Sequence, residues 1–189
     1  MRTRGGILGG IAIILMIGVG VNRYGPDKVG AIYHTQGEAI KCERVDTFEE
    51  AEAYAFLIAQ VGAERGFGGG SYHYVVIYDW VFKMNEDNAV SYHSSGMNTA
   101  TMGVMFCRTD NEDFNKTTMY TGRRLMIELD KQYSFTYALN HADVNKQKTD
   151  PHEYIPWIDK MGLRWDKRDE DVRLRSAPPA PSYDKWVRI

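Results

Sequence analysis

The sequence predicts an α/β fold: a three-layer domain in which a central mixed β-sheet is flanked by helices, preceded by an N-terminal hydrophobic helix. Two observations lead there. Short runs rich in β-branched and aromatic residues alternate along the chain with two longer stretches of helical periodicity. At 189 residues the chain is also long enough for one domain with a sizeable core.

Residues 29–35 (VGAIYHT) read as a buried strand. Thr47-Phe-Glu-Glu50 is a capping box, and Ala51, Tyr54, Ala55, Leu57, Ile58 and Val61 follow at helical spacing until Gly66. Gly68-Gly-Gly70 punctuates the chain before residues 71–78 (SYHYVVIY), a second strand, with residues 80–83 pairing to it as a hairpin. Residues 101–107 (TMGVMFC) make a third buried strand. A polar turn then leads into a helix over residues 115–133, whose Met119, Leu125, Met126 and Leu129 are core. Residues 135–139 form a short strand that delivers His141.

At the N-terminus Arg2 and Arg4 precede residues 5–21, an uncharged, glycine-interrupted apolar run. This is a membrane-targeting layout, read as a signal anchor or a signal peptide, and the flanking arginines would send the rest of the chain across the membrane. The alternative is a buried core helix. The organisation expected is therefore residues 1–25 as targeting segment and linker, 26–165 as the domain, and 166–189 as a charged, proline-rich tail outside the core.

The 23 basic and 25 acidic residues give a net charge of −2, which excludes nucleic-acid binding by bulk charge. Cys42 and Cys107 are too few for a disulfide framework or a four-thiolate zinc site; two buried free thiols are expected, with one disulfide as the alternative.

The stretch from His141 to Pro151 carries the chemistry. His141 and Asp150 are both zinc-ligand types, but nine residues apart they would face opposite sides of a helix, so a shared site requires a loop that turns back. Asn145 and Pro151 favour such a loop, and Lys148 falls on the side of Asp150 if the stretch is extended. On these residues alone, ordinary polar loop positions remain the other reading.

Five blocks in order extend the argument: His34 at a strand end, SYHYVV from Ser71, VSYHSSGMN from Val90, TMGV from Thr101, and His141 through Lys148-Thr-Asp150-Pro151. Together, over roughly residues 29–165, they resemble the zinc-dependent N-acetylmuramoyl-L-alanine amidases of the type-2 amidase and peptidoglycan-recognition family, phage endolysins included. The resemblance implies one Zn2+ held by His34, His141 and Asp150, and cleavage of the amide between N-acetylmuramic acid and L-alanine of the stem peptide. Lys148 would face the oxyanion, Tyr72 would orient water or assist proton transfer, and His93 and Asn98 would contact substrate. His73 is expected in the core or behind a ligand, and His152 outside the site.

The sequence departs from the family in placing Gln36 where a Ser or Thr usually stands; an alignment shifted to Thr35 would put Tyr33 in the ligand position. Asp79-Trp80 also lacks the hairpin glycine of many relatives. The implied partner is peptidoglycan, with the membrane engaged through residues 5–21 and the domain on the cell-wall side. The resemblance fits a phage endolysin or virion-associated lysin; a bacterial envelope amidase and a non-catalytic peptidoglycan-binding protein of the same fold are the alternatives.

Overall fold

The computed structural model describes residues 28–36, 40, 42, 45–66 and 71–167. The targeting segment and the tail expected from the sequence lie outside the described residues, except at the tail's first positions. Among the described residues no helix is long and apolar enough to cross a membrane.

Six strands form one mixed sheet in the order β3-β2-β4-β1-β5-β6. At its centre β1 (Gly30–Thr35) runs parallel to both β4 (Thr101–Phe106) and β5 (Tyr137–Asn140). Both faces of β1 and β4 are covered, and accordingly neither strand shows polar alternation. β2 (Tyr74–Ile77) continues the parallel set beside β4, and β3 (Trp80–Lys83) closes that edge as an antiparallel hairpin. In place of the hairpin glycine, Tyr78 adopts φ 56°, and its ring stacks on Phe114 at 5.0 Å.

Helix α1 (Phe48–Glu64) starts at the expected capping box: the Thr47 hydroxyl accepts from Glu50 N, and the Glu50 carboxylate accepts from Thr47 N. Its Ala51, Ala55 and Ile58 pack with Val75, Ile77 and Met105 on one face of the sheet. On the other face α2 (Glu112–Tyr133) lays Met119, Leu125, Met126 and Leu129 against Tyr33, Val76, Val104 and Phe106. It begins three residues before the predicted start because Asn111 caps it, accepting from Phe114 N. Gly122 is what lets this helix approach: a Cβ there would lie 2.1 Å from the Phe106 ring.

One expectation is corrected. Cys42 and Cys107 form a disulfide, with Cα atoms 6.2 Å apart, that ties the segment after β1 to the end of β4. After α3 (His141–Val144) and α4 (Ile155–Lys160), β6 (Trp165–Asp166) pairs antiparallel with β5, and Trp165 is buried against the α2 face.

Candidate metal centre and cleft

Parallel pairing places the ends of β1 and β5 side by side. Tyr33 is registered with Asn140, so the next residue on each chain, His34 and His141, emerges at the same carboxyl edge of the sheet. Their ring centroids are 4.4 Å apart.

The chain then returns as the residue types suggested. Asn145 Oδ1 accepts from Gln147 N, Lys148 N donates to Asn145 O, and Ala142 N donates to Asp150 O at 3.0 Å, which pins the far end of the loop onto α3. The Asp150–Pro151 peptide is cis. The Asp150 carboxylate reaches both histidines, with Oδ1 3.0 Å from His141 Nδ1 and Oδ2 3.3 Å from His34 Nδ1.

One ligand atom from each of His34, His141 and Asp150 lies within 4.8 Å of the others. Two imidazoles and a carboxylate are a donor set suited to zinc, and three protein ligands leave a position open for water or substrate. The residues present fit a metal ion. The shifted alignment is excluded, because Tyr33 points to the opposite face and donates its hydroxyl to Leu163 O. Gln36 brackets Arg108 instead, its amide donating to Arg108 O at 2.8 Å and accepting from Arg108 N at 3.0 Å, which extends the β1–β4 pairing below the site.

The three residues lie in a cleft of about 600 Å³. Its other walls include Arg65, Tyr72, Ser94, Asn98, Arg108, Lys148 and Glu153. Tyr72 packs its ring 5.1 Å from that of His34. Burial, followed by the charge of Asp150, pushes the Tyr72 hydroxyl up to about 12, so it stays protonated near neutral pH. Arg108 pairs with Glu153 at 3.3 Å on the adjoining wall.

Burial dominates the electrostatics of His34 and lowers it to about 4, with the hydrogen bond to Asp150 working against that shift. Asp150 shows the opposite balance. Burial would raise it, but hydrogen bonds from His141 and His34 hold the carboxyl well below its ordinary range.

His93 shares the cleft loop with Asn98 but is itself buried, and both of its ring nitrogens have protein partners: His34 Nε2 at 3.1 Å, and the backbone and side-chain oxygens of Thr101 at 3.2 Å. Asn98 accepts from Ser94 N at 2.7 Å and so shapes the loop as well as lining the cleft. His73 is no ligand. Its Nδ1 accepts from Gly103 N, its Nε2 donates to Ala89 O, and its ring lies 6.0 Å from that of His93. β2 begins only at Tyr74, so strict alternation does not govern Tyr72 and His73. His152 is exposed in a one-turn 3-10 segment.

Sequence reasoning missed Lys28, buried at the foot of β1, whose ammonium donates to Ala89 O, Asn98 O and Thr99 O. It joins both ends of the loop that carries His93. A lone lysine before a strand has no sequence signature for this.

The fold recurs in solved structures. The N-acetylmuramoyl-L-alanine amidase LysC from Clostridium intestinale URNW superposes with TM-score 0.56 at 22% identity, covering 70% of this chain and 81% of that one. The Ph2119 endolysin of the Thermus scotoductus MAT2119 bacteriophage gives 0.53 at 20% identity, over 70% and 83% of the two chains. Drosophila peptidoglycan recognition protein SD gives 0.59 at 18% identity, over 77% and 86%. No curated protein matches the chain by sequence. The sequence profile of the N-acetylmuramoyl-L-alanine amidases matches residues 26–153, and the chain belongs to that family.

Proposed function

We propose that this protein is a zinc-dependent peptidoglycan hydrolase that cleaves the amide between N-acetylmuramic acid and the L-alanine of the stem peptide. The observation that carries the reading is the convergence of His34, His141 and Asp150 at the base of the cleft. Zinc held by these residues supplies Lewis-acid polarisation of the scissile carbonyl and activation of water.

The chain's own groups divide the remaining work. Tyr72 keeps its proton and donates a hydrogen bond to orient water or the departing nitrogen. Lys148 is exposed on the cleft wall and offers a mobile point charge to the developing oxyanion. Asn98 and its loop form the wall along which glycan or stem peptide lies.

The N-terminal layout of Arg2, Arg4 and the apolar residues 5–21 supports export to, or anchoring at, the cytoplasmic membrane with the domain on the wall side. A cell-wall lysis role, as in phage endolysins, is consistent with that arrangement and with the family.

Dye release from purified peptidoglycan, with mass spectrometry of the products, tests the reaction. New L-alanine amino termini that appear with zinc and vanish with chelator are expected. Turnover insensitive to chelator overturns the zinc reading, and binding of peptidoglycan fragments without new amino termini identifies a non-catalytic binder.

A further inference from the structure

His34 faces the cation site with Nδ1 and turns Nε2 to His93. Which nitrogen of His34 carries its proton therefore decides whether the site sees a lone pair or an N–H.

The hydrogen-bond inventory answers this from the far end of the chain of contacts. His93 Nε2 meets two oxygens of Thr101. The Thr101 carbonyl can only accept, and the Thr101 hydroxyl spends its hydrogen on Met97 O at 2.7 Å. Both oxygens are acceptors, so His93 carries its proton on Nε2. In a neutral imidazole the other nitrogen is then bare, and His93 Nδ1 must accept from His34 Nε2. That leaves Nδ1, which faces the Asp150 carboxylate at 3.3 Å, as the nitrogen of His34 open to a metal ion.

The packing holds this relay in place. The His93 ring lies on β4 at Gly103, where a Cβ would come within 2.6 Å of His93 Cγ. Gly103 thus leaves a slot for the ring, and the His73 hydrogen bonds to its backbone brace the same strand position.

We propose that His93, backed by Thr101, is a positioning residue that locks His34 in the Nε2-protonated tautomer and so presents its Nδ1 lone pair to the metal. The inference rests on the reading of His34 as a metal ligand. Histidine ligands generally donate their second ring N–H to a fixed acceptor, and loss of that acceptor lowers metal affinity by about 10–100-fold. Here the acceptor is itself a histidine whose tautomer the backbone sets.

Nitrogen-15 NMR of the imidazoles in the zinc-loaded, full-length protein reads the tautomer directly, independent of hydrolysis; His34 protonated at Nε2 and coordinated through Nδ1 is expected, and protonation at Nδ1 overturns the proposal. Zinc affinity, measured by competition with a chromophoric chelator, supplies a second readout. His93→Phe should weaken binding about 10–100-fold. His93→Asn, which returns an acceptor at the Nδ1 position, should recover most of the loss, and Gly103→Ala, which displaces the ring, should share the defect. Zinc affinity indifferent to His34→Ala sinks the ligand reading and this proposal with it. Affinity that needs His34 but is equal in the wild type, His93→Phe and His93→Asn sinks the proposal alone.

Discussion

Tyr33 is paired in register with Asn140, and from that single pairing His34 and His141 become neighbours at the carboxyl edge of the sheet although 107 residues, the difference of 141 and 34, separate them. The geometry of the candidate metal site is a property of the β1–β5 register. Asp150 joins because its loop is pinned to α3 by Ala142.

Zinc should stabilise the folded protein through this site. At a free zinc concentration about 100 times the dissociation constant, linkage contributes about 2.7 kcal/mol, which for a domain of this size raises Tm by roughly 5–10 °C. Asp150→Ala should abolish the zinc-dependent rise and most of the turnover. Calorimetry with and without zinc checks this; an equal rise in the variant would show that the metal binds elsewhere.

Lys148→Ala should lower kcat about a hundredfold, the scale of a lost oxyanion donor, while leaving zinc affinity unchanged. Its exposure makes a folding defect an unsuitable explanation for such a loss. Tyr72→Phe should also slow turnover, since it removes a hydroxyl that remains protonated at the pH of the reaction. Unchanged kcat in both variants would remove these side chains from the chemistry.

The metal-free protein should lose stability in acid in two stages. Burial lowers His34 and His73 to about 4 in the folded state, against 6.5 for the free side chain. Between those values the unfolded chain binds more protons, so stability falls as pH drops from 6.5 toward 4, with His73 contributing on the order of 3 kcal/mol. Asp150 acts lower. Its depressed carboxyl contributes stability that is present above its ordinary 3.8 and lost as pH falls below that. Urea unfolding with chelator across this range measures the slope, and a stability that stays flat from pH 6.5 to 4 would contradict the burial of these histidines.

Reduction of Cys42–Cys107, which are 65 residues apart in sequence, should cost about 4 kcal/mol if the bond acts mainly by restricting the unfolded chain. Cys42→Ser and Cys107→Ser should match the reduced wild type. Denaturant midpoints that ignore reductant would count against the bond.

Lys28→Met should destabilise the domain by about 3 kcal/mol, because it strips the donor from three backbone carbonyls. It should also raise hydrogen exchange selectively in the loop from Ala89 to Thr99. Protection unchanged there would show that Lys28 does not hold the loop.

Much of the scaffold could be read locally. The Thr47–Glu50 capping box announced α1, and the apolar runs of β1 and β4 announced strands covered on both faces. A boundary drifted where the local signal was weak: Asn111 began α2 early. The disulfide could not be read from two distant cysteines, since only the packing of the segment after β1 against the end of β4 brings them together.

By itself the sequence determined which residue types could hold a metal, that a site shared by His141 and Asp150 would need the stretch between them to turn back, and the order of the blocks that mark the family. Those are consequences of side-chain chemistry and local turn preference, both encoded within a few residues. Only the tertiary structure decided that His34 stands in the site while Tyr33 faces the opposite core, and that His93 lies behind His34 with both nitrogens engaged. Strand register and the slot at Gly103 set those relationships, because hydrogen bonding between distant strands and close packing of rings are properties that no local window contains.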